Sequence, residues 1–350
     1  MIGRLLRYSN PDPAMNEACE EALLLARLND QPLDTVRLWQ NNPAVLLGGH
    51  IDAEASLNLE ECLKRRLPLI RRSTTSKPMY HDLGTLNLSY VMDQRRISSG
   101  TDLTSVYLQL CDPVARGLSK LGADAEVDEY GQSISASGGK VVQVGVGFYY
   151  ELILFQVTVN VNTDLATMGE VLKNPGGVTS LSSVLDRPVE LGEVEEDLIR
   201  AISDRFGIEL EEQRLSPAEE ALAQRLYRIK YSKEDWNLRM RSPLTLKDVL
   251  IDIYVAYPPT SRCKEVISNV NQAIAEVKDR VECRTWMRGK GLEGRGFVPA
   301  GVAMPADLIK AAKDALVPAV LINGKLAFWK GVPAVQELKS RLEQVLGGNI

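Results

Sequence analysis

Eighteen residues, Ile70 to Asn87, concentrate much of the chain's candidate chemistry. They read IRRSTTSKPMYHDLGTLN: Arg71 and Arg72, a short polar loop, the pair His81-Asp82, then Asn87. Adjacent guanidiniums offer planar forks for the oxygens of a phosphate or a carboxylate. In the loop, Lys77 supplies a point charge, Thr75 and Ser76 supply hydroxyls, and Pro78 removes one backbone donor. His81, Asp82 and Asn87 either line a pocket or hold the fold, the first two through a His–Asp hydrogen bond. A second polar run, GQSISASG from Gly131 to Gly138, precedes Lys140 and a strand-like apolar stretch. Lys140 and Lys77 each have two readings: a cation at the edge of a cleft, or an ordinary surface lysine.

This spacing resembles the R-R-x-S-G-G-G-x-x-x-H-D-x-G-N signature of the lipoate–protein ligase family. Members of that family join lipoate to ATP as an acyl-adenylate and pass the acyl group to a carrier lysine. The resemblance places the signature's three glycines on Thr75, Ser76 and Lys77. Side chains there make positive φ costly and put Cβ atoms where a backbone cradle would approach the ligand. It extends to PDPAMNEACEEALL (Pro11 to Leu24), which is similar to the family's first helix, with Asn16 and Glu20 in familiar places. The strands TVRLWQ and AVLLGG follow, and the family's G-R-x-Q turn falls on Gly48, Gly49, His50 and Ile51, without its Arg and Gln. RLYRIKYSKEDWN (Arg225 to Asn237) resembles the K-Y-x-x-x-x-W-N tail that closes the module. The family's G-R-K-I-S-G-x-A segment falls on Gly131–Gly138, and Ser133 takes the position of its catalytic lysine. A lysine there can stabilise developing negative charge, whereas a serine donates one neutral and weaker hydrogen bond.

The resemblance implies an acyl- and nucleotide-binding set of Arg71, Arg72, Thr75, Ser76, His81, Asp82 and Asn87, with catalytic candidates Ser133, Lys140 and Lys77. It implies ATP and lipoate as substrates, with Mg only as the companion of ATP. It also implies a lipoyl carrier domain as partner and, because the adenylation groups are altered, a separate accessory adenylating subunit.

The elements that must position these groups follow from periodicity. Strands are expected at 35–40, 44–48, 67–72, 85–91, 141–147 and 152–161, and helices at 13–28, 54–65, 103–121, 165–173, 194–206 and 216–230. Met15, Ala18, Ala22, Leu25 and Ala26 make one face of the first helix. Pro113 is expected to kink or divide the third. Asn174-Pro175-Gly176-Gly177 reads as a loop. The fold class is α+β: a biotin/lipoate ligase-like mixed-sheet module over 1–242, then a second domain over 247–350.

That second domain reads β-α-β-α-β-β-α and resembles the thioredoxin-like fold. The resemblance includes V-P-x-x-x-x-N-G at Val317 to Gly324, whose proline, Pro318, follows a cis bond in that family. The family's C-x-x-C falls on Thr260-Ser261-Arg262-Cys263, so one cysteine remains. Cys263 is either a redox thiol activated at a helix N-terminus or a buried helix-start cysteine. The G-x-G-x-x-G at Gly289–Gly294 lacks the helix that a dinucleotide fingerprint requires and reads as a glycine-rich loop.

The chain has 350 residues and a formal net charge of −5, which argues against a broad nucleic-acid or anionic-membrane footprint. No apolar run reaches membrane-spanning length, and no secretory signal opens the chain. Five widely spaced cysteines suggest a reducing cytoplasm, and two histidines with no C-x-x-C argue against structural zinc. Three functional readings stand together: a divergent lipoate or octanoate transferase, a non-catalytic lipoyl-binding module, and a thiol-redox adaptor.

Overall fold

The computed structural model describes residues 2–29, 33–97, 102–287, 306–314, 316–329 and 331–347. The glycine-rich run at 289–294 lies outside them. The chain divides into two compact units, Met1–Met240 and Arg241–Ile350.

The strands of the first unit are β1 (Ile2–Arg7), β2 (Thr35–Trp39), β3 (Ala44–Leu47), β4 (Leu69–Arg71), β5 (Met79–His81), β6 (Thr85–Asp93), β7 (Ala125–Val127), β8 (Ser133–Ala136), β9 (Gly139–Tyr149), β10 (Leu152–Asn160) and β11 (Glu209–Gln213). Its helices are α1 (Pro13–Asn29), α2 (Ala53–Ser56), α3 (Leu59–Lys64), α4 (Leu103–Lys120), α5 (Leu165–Val171), α6 (Leu181–Leu185), α7 (Leu191–Phe206), α8 (Pro217–Leu226) and α9 (Glu234–Asn237). Eight strands form one mixed sheet in the order β11-β1-β2-β6-β10-β9-β8-β7, and β4-β3-β5 form a small second sheet. β11, β1 and β2 are parallel, and the remaining neighbours of the large sheet are antiparallel.

Burial explains most of this assignment. Every residue of β6 and β10 is buried, so they read as continuous apolar runs with polar residues inserted. α4 turns Leu110, Cys111, Val114, Ala115 and Leu118 onto the sheet. Pro113 does not divide it, because the buried face on both sides keeps one helix together at the cost of one hydrogen bond. The helix expected at 54–65 is two: buried Leu57 turns extended and bridges Leu172, separating α2 from α3. α7 starts three residues earlier than expected, on a capping box between Glu190 and Glu193. α8 runs into a π-helical turn, Tyr227–Tyr231.

The second unit contains β12 (Val249–Val255), α10 (Ser261–Ala273), β13 (Val281–Met287), α11 (Ala306–Lys313), β14 (Ala319–Ile322), β15 (Lys325–Trp329) and α12 (Val335–Gly347). Its sheet has the order β13-β12-β14-β15, with β12 and β13 parallel and β14 antiparallel to both of its neighbours. The Val317–Pro318 peptide, expected to be cis, is cis.

One ion pair shows how tightly the first unit is specified. Arg4 on β1, 1% exposed, donates to both carboxylate oxygens of Glu219 on α8, at 2.8 and 3.2 Å. Burial pushes the Glu219 carboxyl up, but the bonds from Arg4 and from the Ser216 N–H hold it below the ordinary range. Removing one partner strands a buried charge. Glu219→Leu is therefore expected to cost about 3–5 kcal/mol in urea unfolding, and Arg4→Met in the same chain to recover most of it.

Candidate functional site

The Ile70–Asn87 segment folds as β4, a loop, β5, a turn and β6, so its polar residues face different surroundings. Arg71 is completely buried. Its Nη1 donates to the carbonyls of Gly48 and Ile51 at 2.8 and 2.7 Å, and its Nε to those of Trp236 and Asn237. In return, Trp236 Nε1 donates to the Arg71 carbonyl at 2.8 Å, and the Arg71 N–H donates to Asn237 Oδ1 at 2.9 Å. Burial holds this guanidinium below its ordinary value. Arg71 thus ties the closing tail to the Gly48–Ile51 turn.

Arg72 is equally buried. Its three nitrogens meet Glu17 Oε1, Met79 Sδ and Thr158 Oγ1, each at 3.3 Å. Burial pushes Glu17 up to about 6, more than the charge of Arg72 can offset. α1 supplies two further buried carboxylates: Glu20 accepts from Arg37 at 2.7 Å, and Glu21 accepts from Lys230 at 2.7 Å. One helix face therefore neutralises three buried cations.

His81 has no exposed surface and does not bond to Asp82. Its Nδ1 accepts from Asn41 Nδ2 at 3.1 Å, which leaves the proton on Nε2, facing Thr158 Oγ1 at 3.4 Å; Thr158 in turn donates to Asn87 Oδ1 at 2.9 Å. Burial first, and the nearby Arg72 charge second, hold His81 well below 6.5, so the ring is neutral. Asp82 shapes the next turn, accepting from Gly84 N and Thr85 Oγ1 and from Asp164 N at the start of α5.

The loop residues come together elsewhere. Thr75 pairs with Val146 of β9 in an antiparallel bridge, and its hydroxyl donates to the Val146 carbonyl at 2.9 Å. The Ser76 backbone lies against Gly48 so closely that a Cβ there would stand 2.1 Å from the Ser76 oxygen, so only glycine fits. This brings Thr75, Ser76 and Lys77 onto a cavity of about 280 Å³ that Ser133 and Lys140 also line. Tyr107, Gln132, Gln143, Val144 and Asn174–Gly176 complete its walls.

A two-residue turn fixes which residues of β8 and β9 meet there. Ser137 and Gly138 both have positive φ, 50° and 78°, the signature of a type I′ hairpin. The turn sets Ser135 opposite Lys140, and a bulge between Ile134 and Ser135 shifts the register so that Ser133 lies opposite Gln143. Ser133 donates to Asp128 Oδ2 at 2.6 Å. Burial raises the Asp128 carboxyl, but that bond and the N–H groups of Gln132, Tyr130 and Ser133 hold it below the ordinary range. The Lys140 backbone is held by Gly177 O at 2.8 Å and Thr179 N at 2.9 Å. No carboxylate lines the cavity among the described residues. Such walls suit an anionic, hydrogen-bonding group better than a long bare alkyl chain.

Of the residues expected to bind ligand, the cavity therefore gathers Thr75, Ser76 and Lys77, together with Ser133 and Lys140. Arg71, Arg72, His81, Asp82 and Asn87 build the scaffold beneath it. Sequence reasoning missed Tyr107, Gln132 and Gln143. A glutamine interrupting the apolar run VVQVGVG was the available signal for the last.

A family model for the lipoyl protein ligase A/B catalytic domain matches residues 12–203. The chain belongs to this family. It is 30% identical to lipoate-protein ligase A subunit 1 of Thermoplasma acidophilum over 262 residues, 68% of this chain and 97% of that protein. It is 25% identical to the octanoyltransferase LipM of Brevibacillus brevis, over 65% of this chain and 95% of that one. A lipoate-protein ligase A structure bound with ATP superimposes with a TM-score of 0.63 at 30% identity, covering 69% of this chain and all of the other. A T. acidophilum structure with bound lipoic acid gives 0.62 at 29%, covering 68% of this chain and all of that one.

The neutral His81 gives a pH test of the scaffold. Its folded value lies below its unfolded value, so its stabilising contribution is complete above about 6.5 and is lost as pH falls. Between pH 6.5 and 4.5, wild type should lose up to ~1.4 kcal/mol per pH unit relative to His81→Gln. Parallel stability profiles for the two proteins would show that His81 is not buried in the neutral form.

Proposed function

We propose that the chain is the acyl-transferring part of a two-part lipoate or octanoate ligase. It accepts a lipoyl or octanoyl group already activated as an adenylate and passes it to a lysine of a lipoyl carrier domain. The supporting observation is the cavity itself, which unites Thr75–Lys77, Ser133 and Lys140 on the family's fold, with side chains at the three positions where the signature has glycines. With side chains in place of that cradle, making the adenylate from ATP falls to a separate accessory subunit. A relative described as half of a bipartite ligase, with its E2 lipoyl domain, supports this division of labour. ATP and its Mg are then substrates of the assembly rather than resident groups of this chain. Five free cysteines and a family that works on a carrier domain fit a cytoplasmic setting. Among the described residues, no helix is long and apolar enough to cross a membrane.

Mass spectrometry of the carrier lysine tests the proposal. With ATP and free lipoate, the chain alone should lipoylate at least roughly a hundred-fold more slowly than with preformed lipoyl-adenylate. Equal rates would remove the need for an accessory subunit. No transfer from either donor would leave only a binding role.

The second unit enters the proposal as a thioredoxin-like domain, supported by its strand order and by α10 following β12. It serves as a docking surface rather than a redox partner. Cys263 is wholly buried at the first turn of α10, where the Thr260 hydroxyl donates to its sulfur at 3.2 Å. Burial would raise this thiol, but the Thr260 hydroxyl and backbone groups at Ala256, Thr260 and Cys263 bring it below its ordinary value. Without access, that ionisation is of little use. In native protein at neutral pH, Cys263 should alkylate no faster than the buried Cys19 or Cys111. Preferential labelling of Cys263 would restore the redox reading.

A further inference from the structure

A tight turn at the edge of the cavity is fixed more firmly than its exposed position requires. It closes with the Gly131 N–H donating to the Asp128 carbonyl at 3.1 Å. The Asp128 carboxylate accepts from the N–H groups of Tyr130 and Gln132, at 3.0 and 2.9 Å, and from the Ser133 hydroxyl at 2.6 Å. Gly131 has a φ of 69° and lies against α4, where a Cβ would stand 2.6 Å from Tyr107 Cβ and 2.9 Å from the Leu108 nitrogen. No side chain fits there. From beneath, the buried Cys111 thiol donates to the Gly131 carbonyl at 3.1 Å.

These bonds give the turn two sides. Tyr107, Gln132 and Ser133 line the cavity. Tyr130 and Leu108 instead face solvent, 58% and 37% exposed, and Glu129 at the same corner is exposed too. Single exposed apolar residues are ordinary on a protein surface. These two differ because the packing of Gly131 on α4 sets Tyr130 beside Leu108, on a turn with little freedom to move. Tyr130 is also two residues from Gln132, at most about 7 Å along the chain. A large ring held in place before binding loses little conformational entropy when a partner covers it.

Resting on the proposed transfer reaction, we infer that this rim, Tyr130 with Leu108 and Glu129, is the docking surface for the lipoyl carrier domain, with Tyr130 as its anchor. A lysine that reaches an acyl group in the cavity brings its own domain down on the surface within one side chain's length of that cavity. The rim lies there. It fits a compact domain with an apolar side chain beside its target lysine. That side chain packs on Tyr130 and Leu108, while the Glu129 carboxylate favours the approach of the cationic lysine.

Calorimetry with an unacylated lipoyl domain tests this, alongside steady-state acyl transfer to that domain from preformed lipoyl-adenylate. Tyr130→Ser should bind the domain about ten-fold more weakly and raise its KM to match, with kcat within about two-fold of wild type. Tyr130→Phe should keep most of the affinity, because the ring makes the contact. Leu63→Ser on α3, at a residue 79% exposed, should change neither quantity. Wild-type affinity and KM in Tyr130→Ser, and again with Leu108→Ser added, would overturn the assignment while leaving the transferase reading intact. A lower kcat with carrier binding unchanged would also overturn it, since the turn would then serve the cavity alone. Self-association of wild type that is lost in Tyr130→Ser, with carrier binding unchanged, would assign the surface to a second copy instead. If wild type binds the lipoyl domain but transfers nothing, the transferase reading falls, and weaker binding by Tyr130→Ser still supports the docking surface. If wild type binds no lipoyl domain, the docking surface falls.

Discussion

Burying charge is the constraint on which the first unit depends. Arg37, Arg71, Arg72 and Lys230 are all withdrawn from water at the centre of the fold. A buried cation is tolerable only with a partner and with its remaining donors satisfied. α1 meets most of that demand through Glu17, Glu20 and Glu21, and carbonyls of the Gly48–Ile51 turn and the Trp236-Asn237 tail accept from Arg71 Nη1 and Nε, while Arg71 Nη2 is buried without a partner. The longest of these bonds in sequence joins Glu21 to Lys230, 209 residues apart. They also account for the burial of the Arg-Arg pair and His81, whose hydrogen bonds tie β4, β5 and β10 to their neighbours.

The cavity lies between the Thr75–Lys77 loop and the β8–β9 hairpin. In this chain the loop bears side chains, the hairpin bears Ser133, and the free cation stands one strand over at Lys140. A neutral donor and a cation differ roughly two-fold in the strength of the bond they offer an anion.

Much of the frame was legible in the sequence. β2, β3, β6, β9 and β10 follow from apolar runs, and the α4 face follows from its spacing. The tail Arg225–Asn237 carries enough specific residues to be recognised. β11 was not legible, because ELEEQ has no apolar pattern and is a strand only through its pairing with β1. β1 hides a buried arginine whose partner, Glu219, lies far along the chain. The split between α2 and α3 depends on a bridge from Leu57 to Leu172. Thr75–Lys77 and Ser133 were singled out by the resemblance to the ligase signature, and Lys140 by its place at the start of a strand-like run. That Arg71, Arg72 and His81 are withdrawn from the cavity could not be read, since burial depends on partners such as Glu17, Asn41 and Trp236.

The central claim is that this cavity holds the activated acyl group by its anionic end. A crystal structure of the chain with a non-hydrolysable lipoyl-adenylate analogue tests it most directly. The account predicts the anionic linker in the cavity, within hydrogen-bonding distance of Lys140 Nζ and close to Gln143. An analogue seated elsewhere, or one whose anion contacts Arg71 or Arg72 after they leave their present partners, would contradict it.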